Sequence, residues 1–208
     1  MKNSFKRFSL FRMAALLLVL AMPILSGCKD DTDDGTQAAA ILLEESKVKD
    51  DVLIRDYLTR RGITEGTGIN KFRRLNGETN NGIYIVDLVE GPTSSVNIIK
   101  GNSVDVRYVG RYVGGVIIGD AVSKNKEDDI FDNSTEKGTP CGCLPATAGA
   151  TGYIKGWNEG LFFMKKGDRK LVLIPSYLAY GSGVDDQGRR VFDPYEPLVF
   201  DMTILDVK

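Results

Sequence analysis

In the second half of the chain, apolar and polar residues alternate with a period of two. Four stretches show this alternation, at residues 83–89, 103–112, 170–175 and 198–205, and segments containing Gly, Pro or Asn separate them. Val104, Val106 and Tyr108 share one face of the second stretch, whereas Val199 and Phe200 of the last stretch face opposite sides. Half-buried strands have this period, so the four stretches predict an antiparallel sheet.

Two other segments have the spacing of helices. Residues 38–59 repeat apolar positions at helical intervals, and the basic residues and glycine at 60–62 are typical of a helix C-terminus. We expect this helix to pack on the domain or on a second copy of itself. A shorter helix is predicted at 156–164, where Trp157, Leu161 and Met164 fall on one side.

The remaining segments are polar and rich in turn-forming residues. Residues 64–81 are predicted to be a linker, and residues 114–129, 135–152 and 182–190 are predicted to be loops. An antiparallel sheet with one short helix must bury a face of the sheet against that helix. The predicted fold class is therefore α+β, with an additional helix at the N-terminus.

The first residues have the features of an export signal. A basic segment precedes an apolar run at 13–25 that is too short for a comfortable membrane span, and Ser26-Gly27-Cys28 follows it. This ending resembles a bacterial lipobox, in which Cys28 receives a lipid and becomes the first residue. The alternative is an ordinary secretory signal. We expect a signal peptide at 1–27, an acidic tether at 28–37 and a lipid anchor in the cell envelope.

Charge and composition exclude several kinds of site. Removal of the signal peptide changes the formal net charge from −1 to about −5, which disfavours nucleic acid as a partner. The chain has no histidine, which excludes a Ser-His-Asp triad, a Cys-His dyad and His-ligated zinc. We expect neither a metal nor a cofactor.

Cys141 and Cys143 lie one residue apart in a predicted loop. They could form a disulfide in an oxidising compartment or remain inert thiols. Redox catalysis is disfavoured because the spacing is not Cys-x-x-Cys. A redox or metal switch of the loop is a third hypothesis.

Five short motifs occur in an order that resembles the FKBP-type peptidyl-prolyl isomerases. They are Val106-Arg107-Tyr108-Val109-Gly110, Phe131-Asp132-Asn133-Ser134, Ile154-Lys155-Gly156-Trp157-Asn158-Glu159-Gly160, Ala179-Tyr180-Gly181 and Leu198-Val199-Phe200-Asp201. The resemblance covers residues 82–208. It implies a half-wrapped antiparallel sheet closed around one short helix, with a pocket between them for the substrate proline.

The resemblance also implies a role for individual side chains. Trp157 would form the pocket floor, Tyr108, Phe131 and Phe200 its walls, and Tyr180 would offer its hydroxyl to a substrate carbonyl. Asp132 would lie at the edge near the Tyr108 hydroxyl. The remaining substrate-binding candidates are Leu144, Tyr153, Ile154, Val191 and Phe192. Partners would be proline-containing polypeptides.

Three features depart from the pattern of the family. No aromatic residue occurs at 135–152, in the interval before the Trp motif, Tyr153 stands where a small aliphatic is more usual, and two loops differ in length or composition. A module that binds proline peptides without turnover is therefore the alternative function. If the catalytic interpretation is right, we expect one face of the Trp157 indole to border an open cavity.

Overall fold

A computed structural model describes residues 34–114, 117–118, 121–122, 127–184 and 187–208. The predicted signal peptide and the predicted lipid-carrying Cys28 lie outside these residues. Within the described ranges, no helix is both long and apolar enough to cross a membrane.

Two α-helices, ten strands and two 3-10 turns occur in the described residues. In chain order the elements are helix α1 (Asp34–Arg60), β1 (Thr64–Glu65), β2 (Lys71–Arg74), β3 (Tyr84–Val89), β4 (Ser103–Tyr112), β5 (Ile117–Ile118), β6 (Ala121–Val122), β7 (Ile130–Asn133), a 3-10 turn (Ser134–Lys137), β8 (Leu144–Thr147), helix α2 (Lys155–Leu161), β9 (Arg169–Ile174), a 3-10 turn (Ser176–Leu178) and β10 (Leu198–Val207).

Most of the strands join one sheet in the order β1-β2-β3-β9-β10-β4-β7, and β8 also pairs with β4. All of these pairs are antiparallel except β1 with β2. Strands β5 and β6 form a separate short hairpin. The sheet, the short helix and the N-terminal helix confirm the α+β class.

Both faces of the sheet are covered by a helix. On one face Trp157, Leu161 and Met164 of the α2 region are buried against the central strands, as their spacing predicted. On the other face α1 buries Ile54 and Leu58. The alternation of the strands therefore separates two apolar clusters, and α1 packs on its own domain.

Helix α1 begins four residues before the predicted start at Ala38. Residues 34–37, predicted to be part of the acidic tether, are helical. The prediction placed the start at the first residues of the apolar pattern, but a helix can extend beyond its packed face, and Gln37 is a good helix former.

The prediction that residues 64–81 form a linker was wrong. They contain β1 and β2, and β2 adds to the edge of the sheet beside β3. Phe72 is buried, and its ring centroid lies 5.5 Å from that of Tyr84. The neighbouring Arg73 and Arg74 pair with Asp87 and Asp51 at 3.1 and 2.9 Å. A single apolar residue among polar ones has no readable period, so only its tertiary contacts make this segment a strand.

The prediction that residues 135–152 form a loop was also wrong in part. Residues 144–147 form β8, and residues up to Lys137 complete a 3-10 turn. Pro145 made the strand hard to recognise in the sequence, because proline has no N–H group to donate to the backbone hydrogen bonds of a sheet. It is tolerated here because β8 pairs only with β4 and lies at an edge.

Asp50 of α1 is fully buried against the turn that follows β9. Its Oδ2 accepts hydrogen bonds from the Ser176 backbone N–H and from the Ser176 hydroxyl, both at 2.7 Å. Its Oδ1 has no hydrogen-bond partner in the described part of the chain. Burial raises the pKa of Asp50 to about 7, although the two bonds from Ser176 act in the opposite direction.

We expect the stability of the protein to depend on pH through Asp50. Its folded pKa of about 7 exceeds the ordinary 3.8, so the folded state holds the proton more tightly. The resulting stabilisation is complete below about pH 4 and is lost as pH rises through about 7. Asp50→Asn cannot titrate. Urea unfolding from pH 4 to 8.5 should therefore show a wild-type free energy of unfolding that falls relative to that of Asp50→Asn. Parallel profiles for the two proteins would contradict this assignment.

Candidate functional site

A cavity of about 240 Å³ opens between α2 and the half of the sheet formed by β4, β7 and β10. Side chains and backbone from strands, helix and loops contribute to its wall. The lining residues are Tyr108, Phe131, Asp132, Lys137, Leu144, Gly152, Tyr153, Ile154, Trp157, Tyr180 and Phe200. The structure thus brings together nine of the eleven predicted pocket residues, all except Val191 and Phe192.

Three aromatic residues form one wall of the cavity. The ring centroids of Tyr108 and Phe200 lie 6.0 Å apart, and those of Phe131 and Phe200 lie 5.5 Å apart at 88°. Edge-to-face contacts of this kind are favourable between aromatic rings. Gly110 of β4 makes the arrangement possible, because a Cβ there would lie 2.7 Å from the Phe131 Cζ. The wall is therefore apolar and closely packed.

Helix α2 places Trp157 at the base of the cavity. Gly156 and Gly160 face β9, where a Cβ would lie 2.2 Å from the Ile174 Cγ2 and 2.7 Å from the Val172 Cγ1. The absence of side chains lets the helix approach the strand closely. The indole, at 6.4 Å and 77° from the Tyr108 ring, is held at a defined depth by this contact.

The indole is more covered than expected. Tyr153 stacks on Trp157 with ring centroids 4.6 Å apart and an angle of 25°, and Trp157 is only 3% exposed. Trp157 still lines the cavity, but the expected open indole face is largely covered by the phenol ring. Tyr153 causes this difference, because the family that the chain resembles usually has a small aliphatic residue at this position.

A polar group lies at the edge of this apolar cavity. The Tyr108 hydroxyl donates to the Asp132 Oδ2 at 2.6 Å, and the Lys137 Nζ donates to the Asp132 Oδ1 at 2.7 Å. Burial and, to a smaller extent, the hydrogen bond to Asp132 raise the pKa of Tyr108 above its usual range. Burial and the Asp132 charge likewise raise the pKa of Tyr180, while Lys137 lowers it. Both phenols therefore stay protonated near neutral pH and act as donors.

Phe192 and Val191 lie outside the cavity, contrary to their predicted place on its rim. Phe192 stacks against Tyr180 with centroids 4.4 Å apart at 17°, and it meets the Phe131 ring edge-on at 5.3 Å. Phe192 thus packs against two residues of the cavity wall, Tyr180 and Phe131, without lining the cavity itself. Val191 is 55% exposed and borders a neighbouring depression that Tyr112 also lines. Their positions follow from the path of the loop before β10, which its polar sequence does not encode.

Sequence reasoning missed Lys137 and Gly152. Lys137 ends the 3-10 turn that begins at Ser134, and Asn133 caps this turn by accepting from the Thr135 and Glu136 N–H groups at 3.0 and 3.1 Å. The turn returns the chain to the cavity, which brings Lys137 to Asp132. The turn-forming Asn and Ser after Asp132 were the available signal.

A disulfide joins Cys141 and Cys143 in the structure. The loop that it closes is tied to the cavity wall through Ser134, whose hydroxyl donates to the Gly142 carbonyl at 2.8 Å and accepts from the Tyr108 N–H at 3.0 Å. Leu144 follows directly and lines the cavity. No cluster of His, Cys, Asp or Glu that could hold a metal occurs in the described ranges.

The cavity and its sequence motifs can be compared with known proteins. A family profile described as FKBP-type peptidyl-prolyl cis-trans isomerase matches residues 95–205, more than half of the 208-residue chain. The chain belongs to this family. The match includes all five motifs and every cavity residue, so the resemblance inferred from the motifs is confirmed.

Relatives in the FKBP-type family cover different shares of the chain. The FK506-binding protein of Neisseria meningitidis is 31% identical over 126 residues, which are 61% of this chain and 96% of that protein. The macrophage infectivity potentiator of Trypanosoma cruzi is 37% identical over 83 residues, 40% of this chain and 38% of that protein. The crystal structure of FkpA from Escherichia coli has a TM-score of 0.50 and 25% identity over 84% of this chain and 66% of that one.

Proposed function

We propose that the protein catalyses rotation of X-Pro peptide bonds in exported polypeptides. The observation that carries this proposal is the apolar, aromatic cavity at the position where the family motifs converge. With a volume of about 240 Å³, the cavity has room for a prolyl ring. The proposal names the substrate class, proline-containing polypeptides, and requires no cofactor.

The chemistry suits these residue types. A peptide bond resists rotation by about 18–20 kcal/mol because resonance gives it double-bond character. The twisted amide is less charge-separated than the planar one, so an apolar wall of Tyr108, Phe131 and Phe200 disfavours the planar ground state relative to the transition state. Lowering the barrier by about 4 kcal/mol would accelerate rotation roughly a thousandfold.

The polar edge gives the substrate an orientation. Tyr180 is 39% exposed and keeps its proton, so its hydroxyl can donate to a substrate carbonyl beside the proline. The Tyr108 hydroxyl is instead engaged by Asp132. Tyr180 thus binds the substrate, Asp132 fixes the Tyr108 side chain of the aromatic wall, and Lys137 neutralises the Asp132 carboxylate.

Removal of the Tyr180 hydroxyl should lower activity without unfolding the protein. The protein without its predicted signal peptide, carrying Cys28→Ser, would be assayed with a succinyl-Ala-Leu-Pro-Phe peptide coupled to protease cleavage. We expect Tyr180→Phe to lower kcat/KM about three- to tenfold, the effect of one lost hydrogen bond. Trp157→Ala should lower it further because it removes the cavity base.

A matched control for this test is Tyr57→Phe. Tyr57 donates to Asp128 at 2.8 Å on the opposite face of the sheet, so its loss should leave kcat/KM unchanged. Wild-type activity no greater than that of buffer, or equal activity in wild type, Tyr180→Phe and Trp157→Ala, would refute the proposed catalysis.

The covered indole favours one alternative function. Because Tyr153 lies over Trp157, the cavity could bind proline segments without useful turnover. Peptide binding without faster cis/trans exchange in NMR spectra would establish this binding module in place of the enzyme.

The proposed site of action is the cell envelope, with attachment through a lipid on Cys28. The lipobox-like sequence before Cys28 supports this. Dimerisation through the N-terminal helix stays a prediction. Ile41, Val48 and Val52 of α1 are 60%, 68% and 62% exposed and share one side of the helix, which a second copy would cover.

A further inference from the structure

The turn at Ser176–Leu178 sets the position of Tyr180. It follows β9 directly, and the Ser176 carbonyl accepts from the N–H groups of Ala179 and Gly181, both at 2.9 Å. These two residues flank Tyr180 in the chain. The orientation of the Ser176 peptide therefore decides the backbone direction from which Tyr180 enters the cavity wall.

Ser176 is itself held by the N-terminal helix. Its N–H and its hydroxyl both donate to the Asp50 Oδ2 at 2.7 Å, and both residues are fully buried. Pro175, the residue that precedes the turn, provides no side-chain hydrogen bond to cap it. Asp50, 126 positions earlier in the chain, supplies the acceptor that the turn lacks.

A second contact from α1 reaches the same turn. Lys47 lies one helical turn before Asp50, and its Nζ is 5.7 Å from the centroid of the Tyr177 ring, within the range of a cation–π contact. The Tyr177 hydroxyl also donates to the Asn81 carbonyl at 2.8 Å. Helix α1 thus contacts two successive residues, Ser176 and Tyr177, of the turn that leads to Tyr180.

We propose that Asp50 is a positioning residue for the isomerase site, acting through Ser176 on the orientation of Tyr180. This inference rests on the proposed function. Asp50 lies outside residues 95–205, which match the family profile. The N-terminal helix, which precedes the matched region, therefore contributes to the geometry of the site. Without the carboxyl group, two buried donors of Ser176 lose their acceptor and the turn must rearrange to satisfy them.

The test compares two replacements of Asp50 in the protein without its predicted signal peptide and with Cys28→Ser. Asp50→Asn retains a side-chain oxygen that can accept from Ser176, whereas Asp50→Ala does not. At a temperature where circular dichroism shows all variants folded, we expect Asp50→Ala to lower kcat/KM about three- to tenfold. Asp50→Asn should restore most of the activity.

Two controls separate positioning from loss of stability. Ile54→Ala removes a buried side chain from the same face of α1 that cannot accept a hydrogen bond from Ser176, so it should destabilise the protein while activity per folded molecule stays unchanged. In a Tyr180→Phe background, Asp50→Ala should cause little further loss, because the group that Asp50 positions is already absent. A full, additive loss in that background would overturn the proposal.

A measurement independent of activity distinguishes failure of this inference from failure of the proposed function. The rings of Tyr180 and Phe192 are stacked, so NMR should detect nuclear Overhauser effects between them in the wild type and in Asp50→Asn. These should weaken or vanish in Asp50→Ala. An inactive wild type would refute the isomerase proposal, whereas unchanged ring contacts in Asp50→Ala would refute the positioning role. If Asp50→Ala does not fold, Ser176→Ala, which removes one of the two donors, should show the same losses to a smaller degree.

Discussion

Replacing Gly156 by alanine should destabilise the protein by about 2–3 kcal/mol, although alanine normally favours a helix. The new Cβ would lie 2.2 Å from the Ile174 Cγ2 and 3.2 Å from two further Ile174 carbons. Ile174 is fully buried and β-branched, so few alternative rotamers are open to it. The helix must then move off β9, and Trp157 moves with it.

Urea unfolding followed by circular dichroism measures this loss, and the fluorescence of Trp157, the single tryptophan of the chain, reports the displacement of the cavity base. Lys155→Ala is the matched control because Lys155 is exposed in the same helix. Combining Gly156→Ala with Ile174→Ala should cost less than the two single losses together. A more stable Gly156→Ala protein would contradict the close packing of α2 on β9.

Replacing Lys170 by methionine should cost about 3–5 kcal/mol of stability, the effect expected when a buried ion pair loses one partner. The Lys170 Nζ lies 2.6 Å from the Asp87 Oδ1 and 3.3 Å from the Asp168 Oδ2. The side chains of Lys170 and Asp87 are each 9% exposed. Methionine fills the same space but leaves the buried carboxylates of Asp87 and Asp168 without the ammonium group that they share, with Arg73 remaining on Asp87 alone.

The double variant Asp87→Asn with Lys170→Met should recover part of this loss, because it removes a negative charge together with the positive one. Urea unfolding of the wild type, both single variants and the double variant gives the coupling between the two sites. Lys166→Met, which removes an exposed partner of Asp206, serves as the control and should change stability little. Additive losses at positions 87 and 170 would show that the cluster contributes no buried ion pair.

Local patterns predicted the elements that carry the site. The alternation at 103–112 predicted the bounds of β4 and the inward face of Tyr108. The glycine-spaced motif around Trp157 predicted the short helix, and the resemblance to the FKBP-type family implied which aromatic residues share a cavity. These features were readable because side-chain periodicity and glycine spacing are properties of neighbouring residues.

Other features of the site could not be predicted from local sequence patterns. Tyr153 covers Trp157, and Lys137 returns to Asp132, because of side-chain packing and the path of a turn. Phe192 supports Tyr180 from behind because of where the loop before β10 runs. None of these contacts leaves a periodic trace in the chain.

The sequence by itself determined the family and the principal strands, since motifs and periodicity depend on residue type and local spacing, and the resemblance to that family implied the aromatic character of the cavity. Only the tertiary structure decided that the N-terminal helix bonds to the turn that precedes Tyr180. Asp50 is one polar position on a largely polar helix, and its bond to Ser176 joins residues 126 positions apart. Burial of that carboxyl group follows from how α1 lies on the sheet, which no local pattern of residues specifies.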